Sequence, residues 1–151
     1  MATSPPTRQL ISLPRDPLFW LAMLAGPAAW LIAHFCLAEF FGGRADVAHG
    51  GNLLLLAGVY PLLEEWLFRG LLQPQLLRYR ALRQGVFGFS GANLLTSILF
   101  SAAHLFAQPP LWAAATMPPS LIFGAFRDRY ESVVPAIILH AFYNLGFFLV
   151  F

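Results

Sequence analysis

Five long apolar stretches, at 18–41, 53–77, 89–106, 111–126 and 133–151, divide this chain, and clusters of Gly, Pro and Arg separate them. A helix needs about 20 predominantly apolar residues to cross a bilayer. The pattern therefore predicts an all-α, multi-pass membrane bundle of about five transmembrane helices. The fourth stretch is the shortest and is interrupted by Pro118-Pro119, so a kinked or partly inserted helix is expected there. Ahead of the first stretch, residues 1–16 read as a disordered polar tail with neither the short apolar core nor the small-residue cleavage site of a signal peptide. Residues 17–151 read as a single integral membrane domain, with no internal repeat.

Composition strengthens this reading. The 151 residues are 58% hydrophobic and only 11% charged, and mean hydropathy is +0.66, whereas soluble domains run near 45–50% apolar and about 25% charged. All nine basic residues are arginine. Setting Arg69 aside, Arg8, Arg15, Arg78, Arg80, Arg83, Arg127 and Arg129 fall in alternate connections, and Arg44 is alone on the other side. By the positive-inside rule the N-terminus is cytoplasmic. The absence of lysine fits a GC-rich bacterial genome and hence a bacterial plasma membrane. No dense basic patch or aromatic platform favours nucleic acid. Cys36 is a lone cysteine, which excludes an intrachain disulfide and a CxxC metal or redox pair.

Against this background, Glu64, Glu65 and Arg69 stand out in the middle of the second stretch. A charge at bilayer depth costs about 2.5 to 3.5 kcal/mol on insertion scales, so such groups pair or face a polar cavity. Residues four apart share a helical face, which stacks Glu65 on Arg69 in the favourable order for an ion pair. Glu64 is rotated by about 100° from Glu65 and gains no cation from its own helix. That makes it the candidate general base, which requires a hydrated pocket. The bland alternative is a buried polar knot that locks helices together.

Two further polar sites weaken that alternative. His104 lies in the third stretch, and His140 and Asn144 share one face of the last. A pair of neutral hydrogen-bond donors aimed at one point is suited to an oxyanion. Taken singly, a buried histidine is more often an interhelical hydrogen-bonding group. That is the default for His34, while His49 falls in a loop and Glu39 near an interface.

In order along the chain, Glu64-Glu65-x-x-x-Arg69, Phe100-x-x-x-His104 and His140-x-x-x-Asn144 resemble the CAAX prenyl endopeptidase and bacteriocin-processing (CPBP, or Abi) family of intramembrane glutamic-type proteases. The resemblance extends through 123–140, with its glycine near a helix end, polar turn and serine before the last helix. It implies hydrolysis of a peptide bond within the membrane, with no cofactor. Glu64 and His104 would activate a water, His140 and Asn144 would stabilise the oxyanion, and Glu65 and Arg69 would support the site by pairing. The implied partner is a membrane-associated or membrane-anchored polypeptide. Tyr60 and Trp66 are candidates for a substrate groove, with packing the default. One hydrophobic stretch precedes the glutamates where larger members have several.

Two other readings use the same residues. In one, Glu64, His104 and His140 bind zinc, although the chain lacks the His-Glu-x-x-His helix of common metalloproteases. In the other, the protein is a non-catalytic membrane scaffold or immunity-type protein.

Overall fold

In a computed structural model of the protein, residues 10–36 and 52–150 are described. Residues 1–9 of the expected lead-in, together with Glu39, Arg44, His49 and the side chain of Cys36, lie outside the described residues. Each of the five apolar stretches contains helix, but the third begins in a strand at Phe89–Ser90 and turns after His104, and the fourth is broken at Thr116. Helix α1 is Pro17–Cys36. Helix α2 runs without a break over 53–76 and contains two wide π turns, Leu55–Val59 and Trp66–Leu72. A short helix α3, Arg80–Arg83, precedes a two-residue antiparallel pair, β1 Gly85–Val86 and β2 Phe89–Ser90. Four helices follow: α4 Gly91–His104, α5 Pro110–Ala115, α6 Met117–Tyr130 and α7 Val134–Val150.

Local sequence accounts for most of the helix ends. At α4, Ser90 Oγ accepts the Asn93 N–H at 3.0 Å, an N-cap. The expected fourth stretch becomes two helices because Thr116 ends α5 and Pro118-Pro119 fall in the first turn of α6. There the missing N–H groups of proline would be unpaired in any case. At α1, Asp16 Oδ1 accepts the Leu18 N–H at 3.0 Å, and Pro17 supplies the pre-set φ of a first helical residue.

Asp16 also ties α1 to the end of α6. Its Oδ2 accepts from Arg129 Nε at 2.8 Å and from the Tyr130 hydroxyl at 2.7 Å. Just before it, Leu13 in the turn Leu13–Arg15 joins a buried cluster with Phe19, Phe123, Phe126 and Tyr130. Burial works against ionisation of Asp16, but the Tyr130, Leu18 and Arg129 hydrogen bonds and the Arg129 charge outweigh it and hold the carboxyl below its ordinary range. A carboxylate depressed in the folded state stabilises the fold above its unfolded value of about 4. That contribution is lost as pH falls through the depressed value. Asp16→Asn is therefore expected to lower the thermal midpoint of detergent-solubilised protein at pH 7, with the gap from wild type closing as pH drops below about 4. A gap unchanged down to strong acid would contradict this role.

Helix α7 is the centre of the bundle, packed against α1, α2 and α6, and α6 packs in turn on α4. Beside the apolar cluster, several polar side chains are fully buried while many large apolar ones are exposed. Glu65, Arg69, Gln73, Asn93, Thr96, Ser97 and Ser120 have no exposed surface, while Leu21, Leu24, Phe35, Leu63, Trp66, Ile98 and Leu149 point outward. Among the described residues one helix, Pro17–Phe35, is long and apolar enough by itself to cross a membrane, and Val134–Val150 is a shorter apolar helix.

Polar side chains hold the interior together by bonding backbone carbonyls across helices. Gln73 Nε2 donates to Gly124 O at 2.9 Å and to Asp128 Oδ1 at 2.7 Å, while Ser90 Oγ donates to Asp128 Oδ2 at 2.6 Å. Asn93 Nδ2 donates to Leu121 O at 2.9 Å. This requires close approach of α4 and α6 at Gly124, where an added Cβ would sit 1.9 Å from Asn93 Oδ1.

Candidate active site

The glutamates lie on α2 between its two π turns, where the chain is α-helical over Tyr60–Glu65. Glu65 is completely buried, and Arg69 Nη1 donates to its Oε1 at 3.0 Å, the pair expected from their spacing. Three other residues hold the guanidinium. Nη2 donates to Ser120 O at 2.8 Å and to Ser120 Oγ at 2.5 Å, and the cation lies over the rings of Phe100 and Phe123 at 4.7 and 5.8 Å. Cation–π contacts and bonds to a charged donor are strongest where water is excluded, as here.

His140, from α7, completes this cluster. Its Nδ1 lies 2.8 Å from Glu65 Oε1, so Oε1 serves both Arg69 and His140. A carboxylate oxygen paired with an arginine accepts, which makes Nδ1 the protonated nitrogen and directs Nε2 away from Glu65. That Nε2 is 3.7 Å from Glu64 Oε2. The imidazole stacks on Phe123 at 5.0 Å and 20° and meets the edge of Phe100 at 5.8 Å, which fixes its plane.

His104 sits at the last residue of α4 rather than inside a longer span, because the chain turns at 105–108 ahead of Pro109-Pro110. Its Nδ1 lies 2.9 Å from Phe100 O. A carbonyl only accepts, so here too Nδ1 carries the proton and Nε2 is left as the acceptor. The ring packs on Phe100 with centroids 4.5 Å apart. Glu64, about one-third exposed, has both His140 and His104 as electrostatic neighbours. Three helices thus contribute to one cluster: a carboxylate and two imidazoles whose Nδ1 atoms are already engaged.

Asn144 departs from the expectation that it and His140 aim at one point. Its Nδ2 donates to Leu56 O at 3.0 Å, on the first π turn of α2, so one amide hydrogen is occupied and one is left for a ligand. Tyr60 and Trp66, for which packing was the default, are roughly half exposed on the outer face of α2. Ser120 and Phe123, which orient Arg69 and His140, were not singled out from sequence. A signal for them existed. Residues 65, 69 and 73 on α2 and 120, 124 and 128 on α6 form two stripes at four-residue spacing that face each other.

Among the described residues no group of three His, Cys, Asp or Glu side chains is arranged to hold a metal ion. A cleft of about 620 Å³ opens at the arginine-rich end, lined by Arg83, Arg127, Asp128 and Glu131 among others, apart from the glutamates and histidines of the cluster.

With this geometry in hand, comparison with known proteins gives one match. Residues 47–146, about two thirds of the chain, fit the family model described as Rce1-like, type II CAAX prenyl endopeptidase Rce1-like. This bears out the resemblance read from the ordered Glu, His and Asn motifs. No curated protein and no solved structure matches the chain.

Proposed function

The chain belongs to the type II CAAX prenyl endopeptidase Rce1-like family, a family of membrane proteases, and from this premise we propose that it is a metal-free, multi-pass intramembrane endopeptidase of a bacterial plasma membrane. Its substrate is a membrane-associated or membrane-anchored polypeptide. Glu64 and His104 activate the water: His104 Nε2, with Nδ1 bonded to Phe100 O, accepts a hydrogen bond from it, and the Glu64 carboxylate takes its proton as it attacks the scissile carbonyl. Glu64 then returns that proton to the departing amine.

His140, held at Nδ1 by Glu65, faces the developing oxyanion with Nε2, and the free amide hydrogen of Asn144 adds a donor there. Glu65 and Arg69 contact no substrate in this scheme. They hold His140 in place. The observation that carries the reading is the meeting of the partly exposed Glu64 carboxylate with His140 Nε2 and His104, beside the fully buried Arg69–Glu65 ion pair. The outward apolar and inward polar faces of the bundle support the multi-pass placement, since lipid cannot satisfy polar groups.

The test compares protein termini in membranes from cells carrying wild type or Glu64→Gln, with insertion matched. New termini found only with wild type are expected and would name the substrate. Identical profiles for an expressed, detectable substrate would favour the scaffold reading. Activity is further expected to persist in chelator-washed, zinc-free protein. Loss on chelation with recovery only by zinc would favour Glu64, His104 and His140 as metal ligands instead.

A further inference from the structure

Two backbone carbonyls of α2 are denied a helical partner by the sequence itself. In each π turn the N–H donates five residues back, as Tyr60 does to Leu55 O and Gln73 to Phe68 O. The next rung would have to come from residues 61 and 74. Both are proline, which has no N–H and whose ring crowds the carbonyl four residues back, so a widened turn just before it relieves the clash. Leu56 O and Arg69 O are left as free, partly buried acceptors, and a backbone polar group withdrawn from water needs a partner.

Side chains from two other helices take them. Asn144 Nδ2 of α7 bonds Leu56 O at 3.0 Å, and Arg127 Nε of α6 bonds Arg69 O at 3.2 Å. Arg127 counts, by sequence, among the arginines that merely mark the cytoplasmic flank, yet its side chain is only 15% exposed. Its carboxylate neighbour Asp128 lies at 3.4 Å and already accepts shorter bonds from Gln73 and Ser90.

We propose that Arg127 is a positioning residue for the active site. By holding the carbonyl of Arg69, whose own side chain clamps Glu65, it sets the rotation of α2 that brings Glu64 to His104 and His140. The bond matters because Gln73 N–H is engaged by Phe68 O and Pro74 has no N–H to offer in its place. For its catalytic readout this inference rests on the protease reading. For its structural readout it does not.

The experiment is a double-mutant cycle in detergent-solubilised full-length protein. Gln places an amide nitrogen where Arg127 has Nε, so Arg127→Gln keeps the donor and removes the charge, while Arg127→Met removes both. Arg127→Met is expected to lower kcat about ten- to a hundredfold with KM little changed, because misplacement by about 1 Å has effects of that size. It should also lower the thermal midpoint by about 2 to 4 °C. Arg127→Gln should retain most of both. Pro74→Ala restores an N–H that can reach Arg69 O, so in that background Arg127→Met should cost little. The proposal is overturned if Gln is as damaging as Met, which would assign the effect to charge, or if Pro74→Ala leaves the Met effect undiminished. Should wild type show no turnover, the midpoints alone decide between these outcomes, and it is the protease reading that fails.

Discussion

Arg69→Met is expected to destabilise the protein by about 3–5 kcal/mol, the cost of leaving a buried charge without its partner. Neither Arg69 nor Glu65 has exposed surface, and Glu65 Oε1 would be left with His140 alone. Ser120 would lose the donor to its carbonyl and hydroxyl, and the space between Phe100 and Phe123 would lose its cation. Arg69→Lys is expected to recover only part of this, because an ammonium lacks the planar fork that reaches Glu65 and Ser120 from one side chain. Glu65→Gln combined with Arg69→Met should be less harmful than Arg69→Met alone, since no unpaired charge remains. Thermal unfolding of the purified variants measures all three. A change within about 1 kcal/mol for Arg69→Met would place the pair among the near-neutral ion pairs and remove its structural role.

His104→Ala has the opposite signature. It is expected to lower turnover by about 10²- to 10⁴-fold, the range for general acid–base catalysis, because the proposed water would lose the group that orients it for Glu64. It should leave stability almost unchanged. The imidazole is partly exposed at the end of α4, and its hydrogen bond goes to a carbonyl of its own helix. Combining it with Glu64→Gln should cost little more than either change alone, because the two residues are proposed to act on one water and would lose their effect together. Turnover and midpoint measured on the same preparations distinguish this from a folding defect. An activity loss that tracks the midpoint would make His104 a structural residue like Arg69.

The contrast between these two residues shows what could be read from the chain. The Glu65–Arg69 pair was legible because both partners are on one helix and their spacing alone brings them within reach. The split at Thr116 was half legible: Pro118-Pro119 announced an interruption, and first-turn geometry moved it two residues earlier. Asn144 donates to Leu56 O, a carbonyl that a π turn and Pro61 leave open, and a regular four-residue period does not reveal that turn. Ser120, Gln73 and Asp128 were missed because each is unremarkable alone and becomes informative only when two stripes face each other.

By itself, then, the sequence determined the helices, most of their ends, the inward need of the charged residues and the ordered motif by which the family is known. These follow from local periodicity, proline and capping chemistry, and the high cost of isolated charge in an apolar medium. Only the tertiary structure decided that His140 engages Glu65 through Nδ1 and presents Nε2 to Glu64, that Phe100 and Phe123 enclose Arg69, and that α6 and α7 hold the freed carbonyls of α2. Those contacts join residues more than thirty positions apart. Their geometry depends on how far each helix is rotated about its axis, and every π turn in α2 shifts that rotation by about one residue.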